Sequence, residues 1–401
     1  MASINTNNPV RGNPFLDIPS DMDTNPFRLV WEDICSVFRL VKLLPCIFIP
    51  LLPLRSKPLD ELYPSLRNLW DVFLHIILII SQISLLISLP VALMTFWIFP
   101  LAVHGVFYAA FTFLTMIIIR LLNGAPTRRS LIGIPRTRPP VNDETEPWFF
   151  INGIATGKHW HQSNLTALAE VFGREIVGIH NPTKGVILDL IECLIQRDLD
   201  YKTVDIRQGR AQLRHAIAAS ATNKVVLIVH SQGGIEASSI VDYLYGDLSK
   251  CQMRKLEIYT FGNAARQFRN PPLHKVQDTS SEGNTPRRQT QGECAIRHIE
   301  HYANTQDFVA NIGVLQFTSP TSAYSNTSVF SGRVIIRQGS GHLFNMHYLG
   351  PMFGEESTFM ERVVRVRPVD GLEKAVSMPI RELSRLYRYK NGESPEEPDA
   401  M

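Results

Sequence analysis

An α/β domain built on a mostly parallel sheet, preceded by an N-terminal transmembrane helical hairpin, is the architecture this chain's patterning implies. A charge-free stretch from Val72 to Ile119 points to the hairpin. Beyond Trp148, short apolar runs alternate with amphipathic stretches, as in a parallel sheet flanked by helices. One of those runs, Lys224–His230, spells KVVLIVH and passes directly into Ser-Gln-Gly-Gly. A buried strand entering a tight Ser-Gly turn is the setting for a nucleophile.

The average composition conceals this division. Hydrophobic residues make up 45% of the 401, an ordinary value, but charged residues make up only 19%, against roughly 25% in soluble proteins. Lys plus Arg total 40 and Asp plus Glu 37, so an acidic disordered chain is excluded and electrostatic binding of nucleic acid is unsupported. Five scattered cysteines with no CxxC pair indicate neither a disulfide framework nor a zinc site.

The start, Met1–Asp23, is polar and rich in Asn, Asp and Pro, with no apolar core of a cleaved signal. Residues 1–42 are therefore read as a polar tail and a membrane-proximal helix. Residues 43–126 form the membrane region. Its first part, Leu43–Leu54, is apolar but carries Pro45, Pro50 and Pro53, and is expected to be interfacial or re-entrant, a third span being the alternative. The charge-free run covers about 48 residues. As one helix it would reach roughly 70 Å at ~1.5 Å per residue, against a hydrocarbon core of ~30 Å. Two spans fit, at about Phe73–Ile98 and Leu101–Leu122, with the turn near Phe99–Gly105. A buried soluble helical layer is the competing reading, but such helices keep a solvated charged face. Arg120, Arg128, Arg129, Arg136 and Arg138 follow the second span, Arg55, Lys57 and Arg67 precede the first, and the tip is uncharged. This bias puts both ends on the cytosolic side. The expectation is an integral protein of the endoplasmic reticulum or another intracellular membrane, with a cytosolic catalytic domain.

Residues 127–146, rich in Arg, Pro and Thr, read as a linker, and 147–385 as the α/β domain. Strands are expected at Trp148–Ile151, Glu175–His180, Lys224–His230, Lys255–Phe261, Ala295–Ala303 and Arg333–Arg337. Helices are expected at Leu165–Phe172, Val186–Arg197, Thr203–Ala221 and Gly234–Tyr245. The polar stretch Arg269–Glu293 reads as a mobile insertion, and residues 386–401 as an acidic tail.

The strand-turn-helix at Val229-His230-Ser231-Gln232-Gly233 makes Ser231 the candidate nucleophile, with a capping Ser as the plainer alternative. Val229 stands where a small residue is usual. A nucleophilic Ser needs a base and a group that orients the base. Asp307, after the strand Ala295–Ala303, is the candidate orienter; a helix-capping role is its alternative and Asp242 its competitor. His342, in the Gly-rich turn after Arg333–Arg337, is the candidate base, with His347 as the alternative. The oxyanion would be held by the amide of Gln232 and by one in the loop Asn152–Thr156, where Gly153 allows close approach and Ile154 is the candidate donor. Trp160 and His230 are candidate substrate contacts. His159-Trp160-His161 lacks the further ligands a metal site needs and is expected to line the cleft mouth.

These segments together, IVHSQGG, YTFGNAAR (Tyr259–Arg266), HYANTQDFVANIG (His301–Gly313) and GSGHLFNMHYL, resemble lipase-like serine hydrolases of the α/β-hydrolase superfamily. FFINGI and HNPTKG (His180–Gly185) fit the same resemblance, which covers Trp148 to Phe353. It is nearest to the membrane-anchored lipase or serine-esterase-like proteins of filamentous fungi. The resemblance implies an α/β-hydrolase-like sheet, a triad on Ser231, Asp307 and His342, ester substrates, foremost lipid esters, and neither a metal nor an organic cofactor. An acyltransferase or thioesterase on the same scaffold, or an inactive membrane tether, are the alternatives. No nucleic-acid partner is expected.

Overall fold

A computed structural model describes residues 4–7, 25–51, 56–125, 130–141, 143–272, 294–319, 330–366 and 376–395. The strands β1 (Ile4–Asn7), β2 (Leu131–Gly133), β3 (Trp148–Ile151), β4 (Ile176–Ile179), β5 (Val225–His230), β6 (Leu256–Phe261), β7 (His298–Asn304) and β8 (Gly332–Arg337) form one sheet in the order β1-β8-β7-β6-β5-β3-β4-β2. The six central strands are parallel. The edge strands β1 and β2 run antiparallel to β8 and β4. The chain is thus α/β, with seven strands from its second part and an eighth from near its start.

Alternation of side chains across each strand builds two cores. Phe149 and Ile151 of β3, with Leu227 and Val229 of β5, pack on helices α6 (Val204–Ala218) and α7 (Gly233–Asp247) through Ile206, Leu213, Ile240 and Leu244. Trp148, Phe150, Val226 and Ile228 face the other way. They meet Leu165 and Phe172 of α4 (Lys158–Phe172), with Phe353 and Tyr389. Burying each such side chain contributes about 1.5–3 kcal/mol. Helix α5 (Val186–Asp198) joins the α7 side.

Two expectations are corrected. The linker 127–146 contains β2, which pairs with β4 at Leu131↔Gly178; the strand is only three residues long and edge-paired, too short to stand out among Arg and Pro. The acidic tail from 386 begins as the helical turn Leu386–Gly392, with Leu386 and Tyr389 fully buried. Residues 396–401 lie outside the described residues, as do 273–293 of the expected insertion and most of Met1–Asp23. The segment expected to be interfacial begins within a 3₁₀ turn, Val41–Ile47, whose Cys46 and Ile47 carbonyls bond to the α/β domain.

Helix α1 (Pro26–Arg39) starts at an Asn25 cap and is fixed by Asp33, which ion-pairs with Arg197 of α5 and with Arg266. Helices α2 (Leu66–Thr95) and α3 (Leu101–Asn123) are each long and apolar enough to cross a membrane. Their bases dock on the domain: Leu74, Leu78, Ile118 and Leu122 are buried. The Gln82 amide donates to the Lys184 carbonyl at 2.6 Å and accepts from the Ile187 N–H at 3.2 Å. Asn123 donates to the Thr183 carbonyl at 2.7 Å. Towards the tip, Leu93, Trp97 and Leu101 are exposed.

Candidate active site

Parallel strands deliver their carboxyl ends to one edge of the sheet, and the loops there collect the functional side chains. Ser231 follows β5, Asp307 follows β7 by a three-residue turn, and His342 follows β8. The structure brings the three together. His342 Nε2 lies 2.8 Å from Ser231 Oγ, and His342 Nδ1 lies 2.8 Å from Asp307 Oδ2. All three are buried.

The turn at Ser231 is strained. Its φ is +57°, a left-handed value that a non-glycine residue adopts at a cost of order 1–3 kcal/mol. Gly233 and Gly234 make the turn possible. A Cβ on Gly233 would stand 2.7 Å from the Ile151 carbonyl oxygen, and one on Gly234 2.1 Å from Asn263 Oδ1. Val229, the departure from a small residue, is fully buried in the core that also holds Ile235 and Ile240 of α7. Strand and helix therefore approach through the glycines after Ser231, and the wider residue before it has a place of its own.

Asp307 carries two duties on two oxygens. Oδ1 accepts from the Val309 N–H at 2.8 Å and so caps Phe308–Ile312. Oδ2 accepts from His342 and from the Tyr348 hydroxyl at 2.5 Å. The cap and the bond to His342 thus use separate oxygens of one carboxylate. Asp242 lies in α7 at 4.0 Å from Arg269. Burial pushes the Tyr348 hydroxyl well above its ordinary range, with the Asp307 charge adding to it, so the phenol stays a donor. A Cβ on Gly262 would reach 2.9 Å from Asp307 Oδ2 and 3.0 Å from His342 Cε1, so only glycine fits beneath the pair.

His347 serves elsewhere. Its Nδ1 accepts from the Leu343 N–H at 3.1 Å and its Nε2 donates to the Pro50 carbonyl at 3.0 Å. The segment Cys46–Pro50 therefore straps the loop that carries His342. The Gly341 and His342 amides donate to the carbonyls of Cys46 and Ile47, each at 2.9 Å. Below it, Glu61 accepts from the amides of Asn345 and Met346 at 2.9 and 3.2 Å. Burial raises the Glu61 carboxyl to about 7, against the lowering effect of those amides.

The expected oxyanion loop lies against Ser231. A Cβ on Gly153 would stand 2.5 Å from Ser231 Cβ. Gln232 is held by a buried chain of amides that no local sequence signal marks. Asn181 donates to the Gln232 side-chain oxygen at 2.7 Å, and Gln232 donates to Gln196 at 2.8 Å. Asn152 and Asn181 exchange bonds of 2.7 and 3.0 Å. The next amide along, Ala155, donates to Asp189 at 2.9 Å, which fixes the loop around Ile154.

Two expected substrate contacts have other partners. His230 Nε2 donates to the His342 carbonyl at 2.8 Å, and its ring packs on His342 with centroids 4.7 Å apart. Burial, then the neighbouring His342 ring, holds His230 well below the usual histidine range, so it packs on His342 as a neutral ring. Trp160 stacks on His75 of α2 at 5.2 Å, and its indole N–H donates to Asn68 at 3.2 Å. It fastens α2 instead of lining a cleft mouth. His159 also reaches Asn68 at 3.0 Å, while His161 is fully buried between Phe150 and His180. The run expected at the mouth is a docking surface because α2 covers it. Among the described residues, no group of three or more His, Cys, Asp or Glu is placed to hold a metal.

Compared with protein-family models and with characterised proteins, the chain matches none.

Proposed function

We propose that this chain is a membrane-associated serine hydrolase that cleaves esters, foremost lipid esters, through an acyl-enzyme. The observation that carries the reading is the relay of two 2.8 Å hydrogen bonds, Ser231 to His342 and His342 to Asp307, at the carboxyl edge of a parallel sheet. Ser231 Oγ attacks the carbonyl carbon while His342 Nε2 takes its proton. Asp307 keeps the other ring nitrogen protonated and stabilises the imidazolium. The Gln232 and Ile154 amides receive the oxyanion. His342 then protonates the leaving alcohol, activates a water, and the acyl group departs as the acid. The sequence order Ser, Asp, His and the strained turn at Ser231 support an α/β-hydrolase-like scaffold.

The apolar pair α2 and α3, with uncharged tip and basic flanks, supports a hairpin anchor with both ends on the cytosolic side of an intracellular membrane. Substrate would then arrive by lateral diffusion. Burial of Ser231, at 3% exposure, favours one second reading: acyl transfer to an alcohol or thiol acceptor, which needs water held off the acyl-enzyme. The test of the shared core is a fluorophosphonate probe on membranes carrying wild type or Ser231→Ala. Labelling of wild type alone is expected; equal labelling of both, or of neither, refutes the nucleophile.

A further inference from the structure

A cavity of about 780 Å³ opens where α3 meets the α/β domain, next to the carboxyl end of β4. Its wall combines Met116, Ile119 and Arg120 of α3 with Lys158, Lys184 and Arg207 of the domain. The charge is one-sided. Four cations face two carboxylates, Glu192 and Asp205. Glu192 is paired with Lys184, which leaves three cations against the single carboxylate of Asp205, a net excess of positive charge. Among the described residues, Arg120, Lys158 and Arg207 have no acid partner. Asp205 offsets only part of the repulsion among the three cations, and an anion seated between them removes the rest. Lys158 is directed there by α3: its stem lies over the helix-ending Gly124, where a Cβ would stand 3.1 Å away.

We propose that this cavity binds an anionic phosphate group through Arg120, Lys158 and Arg207. The guanidinium forks of Arg120 and Arg207 suit paired phosphate oxygens, and the Lys158 ammonium adds a point charge. Two sources carry that chemistry, a phospholipid headgroup and free phosphate. The wall favours the headgroup. Arg120 ends the charge-free run, and Met116, one turn nearer the apolar shaft, is 64% exposed. A lipid whose phosphate sits among the cations would lay its chains along Met116 and Ile119. In a hairpin inserted as proposed above, this is headgroup depth. The choice of source rests on that membrane reading; the phosphate site itself does not.

The test uses full-length Ser231→Ala protein in a neutral maltoside detergent, so that no turnover consumes the probe and the outcome is independent of catalysis. Unfolding temperature is followed against dioctanoyl phosphatidic acid, dioctanoyl phosphatidylcholine and inorganic phosphate. Phosphatidic acid is expected to raise it saturably. The response should shift at least tenfold to higher concentration in Arg120→Gln/Arg207→Gln and weaken in high salt. Inorganic phosphate acting as well as phosphatidic acid would keep the site and overturn the lipid source. An equal response to phosphatidylcholine, no response to either anion, or an unchanged response in the double variant overturns the site. The same double variant with Ser231 intact should take the fluorophosphonate label at the wild-type rate, showing that it is folded.

Discussion

Replacing Asp307 by Asn separates the two duties of that side chain. The amide oxygen can keep the 2.8 Å bond from Val309 N–H, so the cap of Phe308–Ile312 survives at unchanged volume. On the other side the amide nitrogen now faces His342 Nδ1 and the Tyr348 hydroxyl, where a carboxylate oxygen accepted from both at 2.8 and 2.5 Å. A donor there selects the tautomer in which Nδ1 accepts and Nε2 carries the proton. Nε2–H then points at Ser231 Oγ across 2.8 Å and cannot take its proton. The loss in kcat is expected to be about 10⁴-fold, or roughly 5.5 kcal/mol of transition-state stabilisation, as in triads of this type. The loss in unfolding free energy is limited to the altered charged hydrogen bonds, about 1–3 kcal/mol. Hydrolysis of a p-nitrophenyl ester by the detergent-solubilised protein, with denaturant unfolding in parallel, checks both. A kcat within tenfold of wild type, in a protein that remains folded, would refute the orienting role.

Three further outcomes follow from the same contacts. His347→Gln should cost about 1–3 kcal/mol of stability through its bonds to Leu343 and Pro50 yet keep kcat within tenfold, while His342→Gln should lose at least ~10³-fold, read in the same ester assay. Gly153→Ala, whose Cβ would stand 2.5 Å from the backbone-fixed Ser231 Cβ, should lower kcat by about 10²-fold and cost about 1–3 kcal/mol of stability, read in the ester assay and by unfolding. Burial lifts Glu61 from 4.5 to about 7, so the folded state holds its proton more tightly than the unfolded chain. That stability is present in full below about pH 4.5 and is lost as pH rises through 7, a change on the order of 3 kcal/mol. Thermal unfolding from pH 5 to 8 should show this decline in wild type and a flatter profile in Glu61→Gln.

The parallel core was legible because its signals are local. KVVLIVH is a continuous apolar run, and β5 covers six of its seven residues. The turn after it has Gly where the backbone closes on its neighbours, and the turns after β7 and β8 place Asp307 and His342 in reach by topology alone. Short edge strands were not legible. Leu131–Gly133 owes its extended form to pairing with β4, not to its own pattern. The supports of the site were hidden for a related reason. Tyr348, Glu61, the Asn152–Asn181–Gln232–Gln196 amide chain and the carbonyls of Cys46 and Ile47 act across long sequence separations. Ordinary residue types in unremarkable surroundings carry no mark of a distant partner. The partners of Trp160 and His230 were hidden too, because a sequence shows that a residue lies near a site but not which element covers it.

The acyl-enzyme at Ser231 is the central claim, and one measurement reaches it directly. Wild-type protein and Ser231→Ala are mixed rapidly with p-nitrophenyl butyrate, nitrophenolate release is recorded in the first turnover, and the quenched protein is digested and weighed. A burst approaching one nitrophenolate per active protein, with the butyryl mass on the peptide containing Ser231 and neither in Ser231→Ala, is the predicted result. Nitrophenolate release by Ser231→Ala at the wild-type rate, or a butyryl group carried by another residue, would contradict it.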